Sequence, residues 1–269
     1  MRRQRKAWLK AGTLEDDHLA PTTAGTPQGG SGSPLLALIA LHGMDEAITR
    51  VYPPARVIAY ADEGVVLHEE RQGLEHCQEL LRIWLAEMGL SLHEANSSLR
   101  HTLEGDQPGG VLLGFHIRQY RVGTHQSGKG PRGAERLGYK TLIKPAKANV
   151  QEHLAELGRV IQRGKALPQG QLIHQRTPKR RGWANYDRVG VSQAIYAWLD
   201  HHPWAKLRRW ALWRQPKKAT AWAIKRYRHR LGTRLTFATS ATDPDAVRLL
   251  PHSEVPITRH VKVQDTRRP

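Results

Sequence analysis

The sequence predicts an α+β protein, a strand-containing first half followed by a basic helical second half. Three observations carry that reading. Val57-Ile58-Ala59-Tyr60 and Val65-Val66-Leu67 are short β-rich runs on either side of Ala61-Asp62-Glu63-Gly64, which predicts a hairpin. Leu74, Cys77, Leu80, Leu81, Trp84, Leu85 and Met88 recur at helical spacing, and Gly89 follows as a stop. Charge divides the chain: residues 1–100 hold 10 basic and 13 acidic side chains, whereas residues 101–269 hold 32 and 11.

The elements follow in order. Residues 11–34 are rich in Gly, Pro, Thr and Ser and predict loop. Leu35 to Met44 predicts a helix, capped by Ser33 and apolar on every side, hence buried. After the hairpin and the Leu74–Met88 helix, Val111-Leu112-Leu113-Gly114-Phe115 predicts a short buried strand. Gly123, Gly128, Gly130 and Gly133, with Lys129 and Arg132, predict a flexible basic connector. Beyond it lie helical stripes: Val150, Leu154, Leu157, Val160 and Ile161; Val191, Ile195 and Leu199; Trp204, Leu207 and Ala211; and Trp222, Ala223 and Tyr227. Pro203 suits a helix start.

Composition narrows the function. The formal charge of +18, gathered in the second half, points to a polyanionic partner. With 39% apolar residues the chain can bury a core. Its one cysteine, Cys77, excludes an intrachain disulfide and a Cys-based zinc site. No apolar run approaches the ~20 residues that span a bilayer, and no apolar signal core follows the basic start Met1 to Lys6. These features predict a cytoplasmic protein with no membrane partner.

Two segments suggest chemistry. Asp62 and Glu63 set adjacent carboxylates at a turn. Like charges repel there unless a hard cation such as Mg²⁺ neutralises them, or unless the turn is simply solvated. Gly25 to Pro34 holds Pro27, Gln28, Gly29 and Gly30 in a stretch whose backbone can approach a ligand closely. In the basic half, Thr177 to Trp183 joins Lys179, Arg180 and Arg181 to an aromatic ring. Further cations are Lys206, Arg208, Arg209, Arg214, Lys217, Lys218, Lys225, Arg226, Arg228 and Arg230; on helices they flank an apolar stripe and turn toward phosphates. Six of the eight tryptophans fall within 183–222, either as core or as stacking platforms for unpaired bases. His201 and His202 are adjacent and face apart on a helix, so they predict no metal pair.

Together these segments resemble the group II intron-encoded reverse transcriptase/maturase family. The resemblance runs through Trp8 to Gly12, Gly25 to Gly30, Ser33 to Met44, Leu113-Gly114-Phe115 and His125 to Lys129. It continues in Lys140 to Pro145 and Arg181 to Tyr186, which are similar to the maturase-specific domain, domain X. The resemblance implies a partial reverse-transcriptase palm over 1–120 and a basic glycine-rich connector over 121–140. A thumb/maturase domain over 141–216 and a basic extension over 217–269 would follow. It implies Asp62 and Glu63 as the catalytic turn, with Asp62 a ligand for Mg²⁺ wherever polymerase activity is retained. Pro27 to Gly30 would then be substrate-binding. RNA-binding positions would be Lys140, Lys144, Lys179, Arg180, Arg181, Trp183, Lys206, Arg208, Arg209, Lys217, Lys218, Lys225 and Arg226.

The departures are equally specific. The family turn is Tyr-Ala-Asp-Asp, and Glu63 replaces its second Asp. Asn96 stands where the family has a Lys, and Ser31-Gly32 replaces Val-Ile. The family's fingers and first palm strand, which bears another metal-binding Asp, would lie upstream of Ala11, where ten residues remain; a truncated palm is the expectation. A C-terminal endonuclease domain with zinc-type Cys pairs is not expected from one cysteine. The expected function is therefore binding of group II intron RNA in support of splicing, with a DNA target as a further partner. RNA-directed DNA polymerisation, with another chain supplying the missing fingers and palm strand, is the alternative, and a decayed remnant the third reading.

Overall fold

The computed structural model describes residues 3, 7, 12–15, 18–20, 33–130 and 135–258. The chain divides into two compact units, Met1–Leu99 and Arg100–Pro269.

In the first unit, β1 (Thr13–Glu15) pairs antiparallel with β2 (His18–Ala20). Helices α1 (Ser33–Ala40) and α2 (Met44–Val51) follow, then β3 (Arg56–Tyr60), β4 (Glu63–Leu67) and α3 (Arg71–Ala86). The helix expected over Leu35 to Met44 ends earlier, at Ala40, because the chain turns through Gly43 at φ 88° and Met44 begins the next helix. It is also not buried: Leu35, Leu38 and Ile39 are 62%, 55% and 52% exposed. An all-apolar helix buries only the faces its neighbours cover, and the unit's core forms on α2 and α3 instead. There Ile48, Ala55 and Cys77 are buried against Met44, Tyr52, Val57, Val66 and Leu81.

The hairpin forms as expected, with a shorter loop. Tyr60 pairs with Glu63, so only Ala61 and Asp62 lie in the turn, and Ala61 adopts φ 52°. Its strands are half covered rather than buried. Val57 and Val66 are direct partners on the face toward the core, whereas Ile58 and Tyr60 point the other way and are 51% and 65% exposed. Alternation along a strand allows both outcomes at once. The α3 stripe buries Cys77 and Leu85. Gly89, at φ 72°, ends the helix as expected; the Leu90 N–H reaches back to the Leu85 carbonyl at 3.0 Å in a Schellman arrangement.

The second unit opens with an antiparallel meander, β5 (Gly110–Leu112), β6 (Phe115–Arg121) and β7 (Tyr139–Pro145). The single strand expected over Val111 to Phe115 is a hairpin. Leu113 and Gly114 take φ 49° and 76°, the paired positive values of a tight primed turn, and Leu112 pairs with Phe115. The segment expected as a connector is held at its described parts. Arg121 pairs with Tyr139, which holds the ends of the intervening loop together. Within the loop, Gly128 N–H donates to Tyr139 O at 2.9 Å and Gly138 N–H to Ser127 Oγ at 2.8 Å.

Helices α4 (Lys147–Arg163), α5 (Gln169–Asp187), α6 (Gln193–His201), α7 (Trp204–Arg214) and α8 (Thr220–Tyr227) come next. Four match the sequence stripes, except that Val191 of the second stripe lies before α6 and is 51% exposed, and Pro203 sits at the start of α7 as expected. Helix α5 shows no apolar stripe because its buried positions include Arg176, Arg180 and Asp187 beside Leu172, Ile173 and Ala184. It also carries Pro178 in its interior, which removes one backbone donor. A hairpin of β8 (Arg228–Leu231) and β9 (Arg234–Phe237) ends the succession, before a 3₁₀ turn at His252–Glu254.

One core joins these pieces. Val160 and Ile161 of α4, Leu172 and Ile173 of α5, and Leu207, Trp210 and Ala211 of α7 pack with Ala223 and Tyr227 of α8. Phe237 of β9 and Leu249 complete it. Gln169 Nε2 donates to the carbonyls of Tyr227 at 2.9 Å and Ala238 at 2.8 Å, which ties the hairpin to the start of α5.

Two glycines provide a test of backbone constraint. Gly109 has φ +90° and a Cβ there would sit 2.5 Å from the Ile117 carbonyl oxygen, while Gly105 has φ +100° and open space around it. Gly105→Ala should cost only the left-handed strain, about 1 kcal/mol. Gly109→Ala adds a backbone collision and should cost about 2–3 kcal/mol. Urea unfolding of both variants checks the order; equal losses would contradict it.

Candidate nucleic-acid interface

The acidic turn is set by the β3–β4 register, which puts Asp62 at the hairpin tip and Glu63 at the first position of β4. Both are exposed. Two-ion phosphoryl transfer needs a cluster of oxygen ligands around ions roughly 4 Å apart. Among the described residues, no group of three His, Cys, Asp or Glu side chains comes together to hold an ion. Asp62 and Glu63 contribute two carboxylates, one at the tip and one on the strand beside it. Pro27, Gln28, Gly29 and Gly30 lie outside the described residues.

The cations fare differently. Lys206, Arg208 and Arg209 on α7, Lys217 and Lys218 between helices, and Lys225 and Arg226 on α8 are all exposed. None takes part in an ion pair found among the described residues. The same helices bury Leu207, Trp210, Ala211, Ala223 and Tyr227, so the apolar stripe fixes which side the cations face. Between His201 and Thr242 the chain has eleven Lys and Arg and no Asp or Glu. Lys140 and Arg181 are also exposed. Lys144 is half-buried, its Nζ 4.7 Å from the Tyr120 ring centroid. Lys179 is exposed but bound to Glu156 at 2.8 Å, so its charge is already answered.

Arg180 and Trp183 need correction as RNA contacts. Helix α5 turns Arg180 inward, 3% exposed, where it pairs with Asp200 of α6. Trp183 stacks on His153 at 4.6 Å and packs against the Ala184, Tyr196 and Val255 cluster. In a run of consecutive cations on a helix, one position in three or four must meet the core; sequence alone did not mark which.

Around Arg180 lies a buried polar network that sequence reasoning missed. Asp200 Oδ1 accepts from the His252 backbone N–H at 2.7 Å and lies 2.8 Å from His252 Nδ1. Its Oδ2 accepts from Ser253 N–H at 3.1 Å and Ser253 Oγ–H at 2.7 Å. His252 Nε2 in turn lies 2.9 Å from His153 Nε2 of α4. Arg176 is fully buried nearby, and its guanidinium nitrogens meet no hydrogen-bond partner among the described residues. Desolvation, helped by His252 and the two arginines, lowers the His153 pKa to about 3. His252 is lowered too, chiefly by burial, although Asp200 opposes the shift. Asp200 lies well below the usual carboxylate range despite its desolvation, because His252, Ser253 and Arg180 all favour its charged form. Burial pushes Asp187 the other way, up to about 7. His201 and His202 bring no metal site: the His202 ring sits over Trp198 at 3.7 Å and its Nδ1 lies 3.0 Å from the Trp198 carbonyl.

Comparison with known proteins gives two family matches. The model described as Reverse transcriptase (RNA-dependent DNA polymerase) matches residues 3–139. The model described as Group II intron, maturase-specific domain matches residues 150–228. No curated protein matches the chain.

The network makes stability depend on pH. Unfolded histidines take up a proton near pH ~6.5, but His153 stays neutral in the fold down to about pH 3. Between those values the unfolded state binds more protons, so stability falls as pH falls, by up to about 1.4 kcal/mol per pH unit for each such histidine. Below about pH 4 the protonation of unfolded Asp200 adds a further loss. Asp187, raised to about 7, works the other way, because the folded state then binds the extra proton and gains stability as pH falls. The test is therefore the difference: from pH ~7.5 to ~4.5 the melting temperature of His153→Gln should fall less, or rise more, than that of the parental chain. A variant with the parental slope would contradict this account.

Proposed function

The chain belongs to the reverse transcriptase family and carries a group II intron maturase-specific domain, and from that premise we propose that its exposed basic face binds intron RNA and so assists splicing. The observation that carries the proposal is the carboxylate-free stretch from His201 to Thr242, whose core-facing residues leave nine cations exposed and unpaired with acids among the described residues. Phosphates attract such a face wherever cations track the backbone, and binding releases condensed counterions. RNA performs the splicing chemistry in this reading; the protein contributes cations and a rigid helical frame. The proposed contacts are Lys140, Arg181, Lys206, Arg208, Arg209, Lys217, Lys218, Lys225 and Arg226, with Lys144 at the edge.

The match over residues 3–139 favours a second reading, RNA-directed DNA polymerisation, for which members of that family use Mg²⁺. Asp62 and Glu63 would be its residues. Glu63 carries one methylene more than the family's Asp, a displacement on the scale of 1 Å, which can cost ~10²-fold in rate. The chain by itself is therefore expected to extend no primer with Mg²⁺ or Mn²⁺. Template-dependent extension by homogeneous protein, abolished in Asp62→Asn, would restore the polymerase reading.

The RNA reading has its own test. Affinity for a structured intron RNA should fall steeply between about 50 and 200 mM salt, with a log–log slope near −0.9 per phosphate contact on duplex. Reversing Lys217, Lys218, Lys225 and Arg226 to Glu should reduce that slope by several contacts and lower splicing in a reconstituted assay. Salt-independent binding would refute the electrostatic basis.

A further inference from the structure

A cleft of about 400 Å³ opens beside the basic face, bordered by the α6–α7 junction, the β8–β9 hairpin and the segment before the 3₁₀ turn. Its lining combines flat aromatic and apolar groups with cations. Trp204 stands at the start of α7, half-buried, and Arg228 lies over its ring with the guanidinium carbon 4.3 Å from the centroid. Arg228 is held in place by donating from Nη2 to the Leu235 carbonyl at 2.7 Å. Arg234, exposed at the rim, donates from Nη1 to Ser253 Oγ at 2.8 Å and keeps its other nitrogens. Phe237 and Leu249 form apolar wall. The one carboxylate of the lining, Asp200, is engaged by Arg180, His252 and Ser253, so it presents little free negative charge.

Resting on the RNA-binding reading above, we propose that this cleft takes a single unpaired nucleotide of the bound RNA. Trp204 is seated against the core of α4 to α8 and carries the Arg228 guanidinium over its ring, an aromatic–guanidinium pair of the kind on which splayed-out bases stack. Arg234 and Arg228 place positive charge where the nucleotide's phosphate would pass. The volume lies within the range of small-molecule sites and accommodates one base with its sugar. A duplex keeps its bases stacked inside and reaches only the cationic surface, so the cleft distinguishes unpaired from paired RNA. An acidic peptide would use the cations but leave the aromatic stack without purpose.

The experiment uses the full chain with two fluorescein-labelled probes, an oligouridylate of about 12 nucleotides and a blunt RNA duplex of about the same length. Trp204→Leu should weaken oligouridylate binding about tenfold or more, as loss of one stacked base does, and leave duplex binding within about twofold. Arg234→Gln alters an exposed rim residue and should shift the same preference more modestly. If Trp204→Leu melts at a markedly lower temperature, Arg234→Gln alone decides. Parental oligouridylate affinity in every variant that folds would overturn the pocket while leaving RNA binding intact. Equal losses on both probes would overturn it as well, by showing a general phosphate contact. Binding of neither probe by the parental chain would bring down the RNA-binding reading and the pocket with it.

Discussion

The Asp200 carboxylate is the point on which the second unit turns. It receives Arg180 from α5, and the backbone and side chains of His252 and Ser253 from the far end of the described chain. A buried ion pair in isolation roughly cancels its own desolvation, whereas removal of one partner leaves an uncompensated charge in a low-dielectric interior. The arrangement therefore specifies register more than it adds stability. It decides which turn of α5 faces α6, and it anchors the 3₁₀ turn beside them. Arg181, next to Arg180 on α5, is turned to solvent by the same choice, whereas the cations of α7 and α8 take their direction from the apolar stripe of their own helices.

The first unit is built on a different balance. Its buried residues are few, Ile48, Ala55 and Cys77 among them, and its exposed apolar side chains are many. Leu35, Leu38, Ile39, Ile58 and Tyr60 all stand more than half exposed. Apolar area of that extent on an otherwise ordinary fold marks a surface that favours contact over solvation. The acidic turn sits on the same hairpin whose outer face is open, so its carboxylates are placed by two strands and one covering layer of helices.

Much of this was legible in the sequence, and the failures share causes. Period-3.6 stripes at Val150, Leu199, Leu207 and Tyr227 gave helices because each buries one apolar face. Helix α5 escaped notice because its buried face carries Arg176, Arg180 and Asp187, residues that a hydrophobicity pattern assigns to solvent. Leu113 in a left-handed conformation hid a hairpin, since a turn there is expected at Asn or Asp before Gly. The cations of α7 and α8 were read correctly as surface because their apolar partners are interleaved at the right spacing. Arg180 and Trp183 were not, because three consecutive charges give no phase. The histidines His153 and His252 are 99 positions apart, and no local pattern announces a contact that only the tertiary fold creates.

The core also redraws where one inherited piece ends. The maturase-specific match stops at residue 228, yet Phe237 and Leu249 are buried in the core shared by α4, α5, α7 and α8, and Val255 in a second cluster with Ala184 of α5 and Tyr196 of α6. Cutting at the end of the match would uncover Tyr227 and Trp210 on one side and leave Asp200 with Arg180 but without His252 and Ser253 on another. The matched segment is thus shorter than the packed unit, whose interior takes side chains from beyond residue 228. A fragment meant to keep this interior has to run on to Val255 rather than stop at the edge of the recognisable motif.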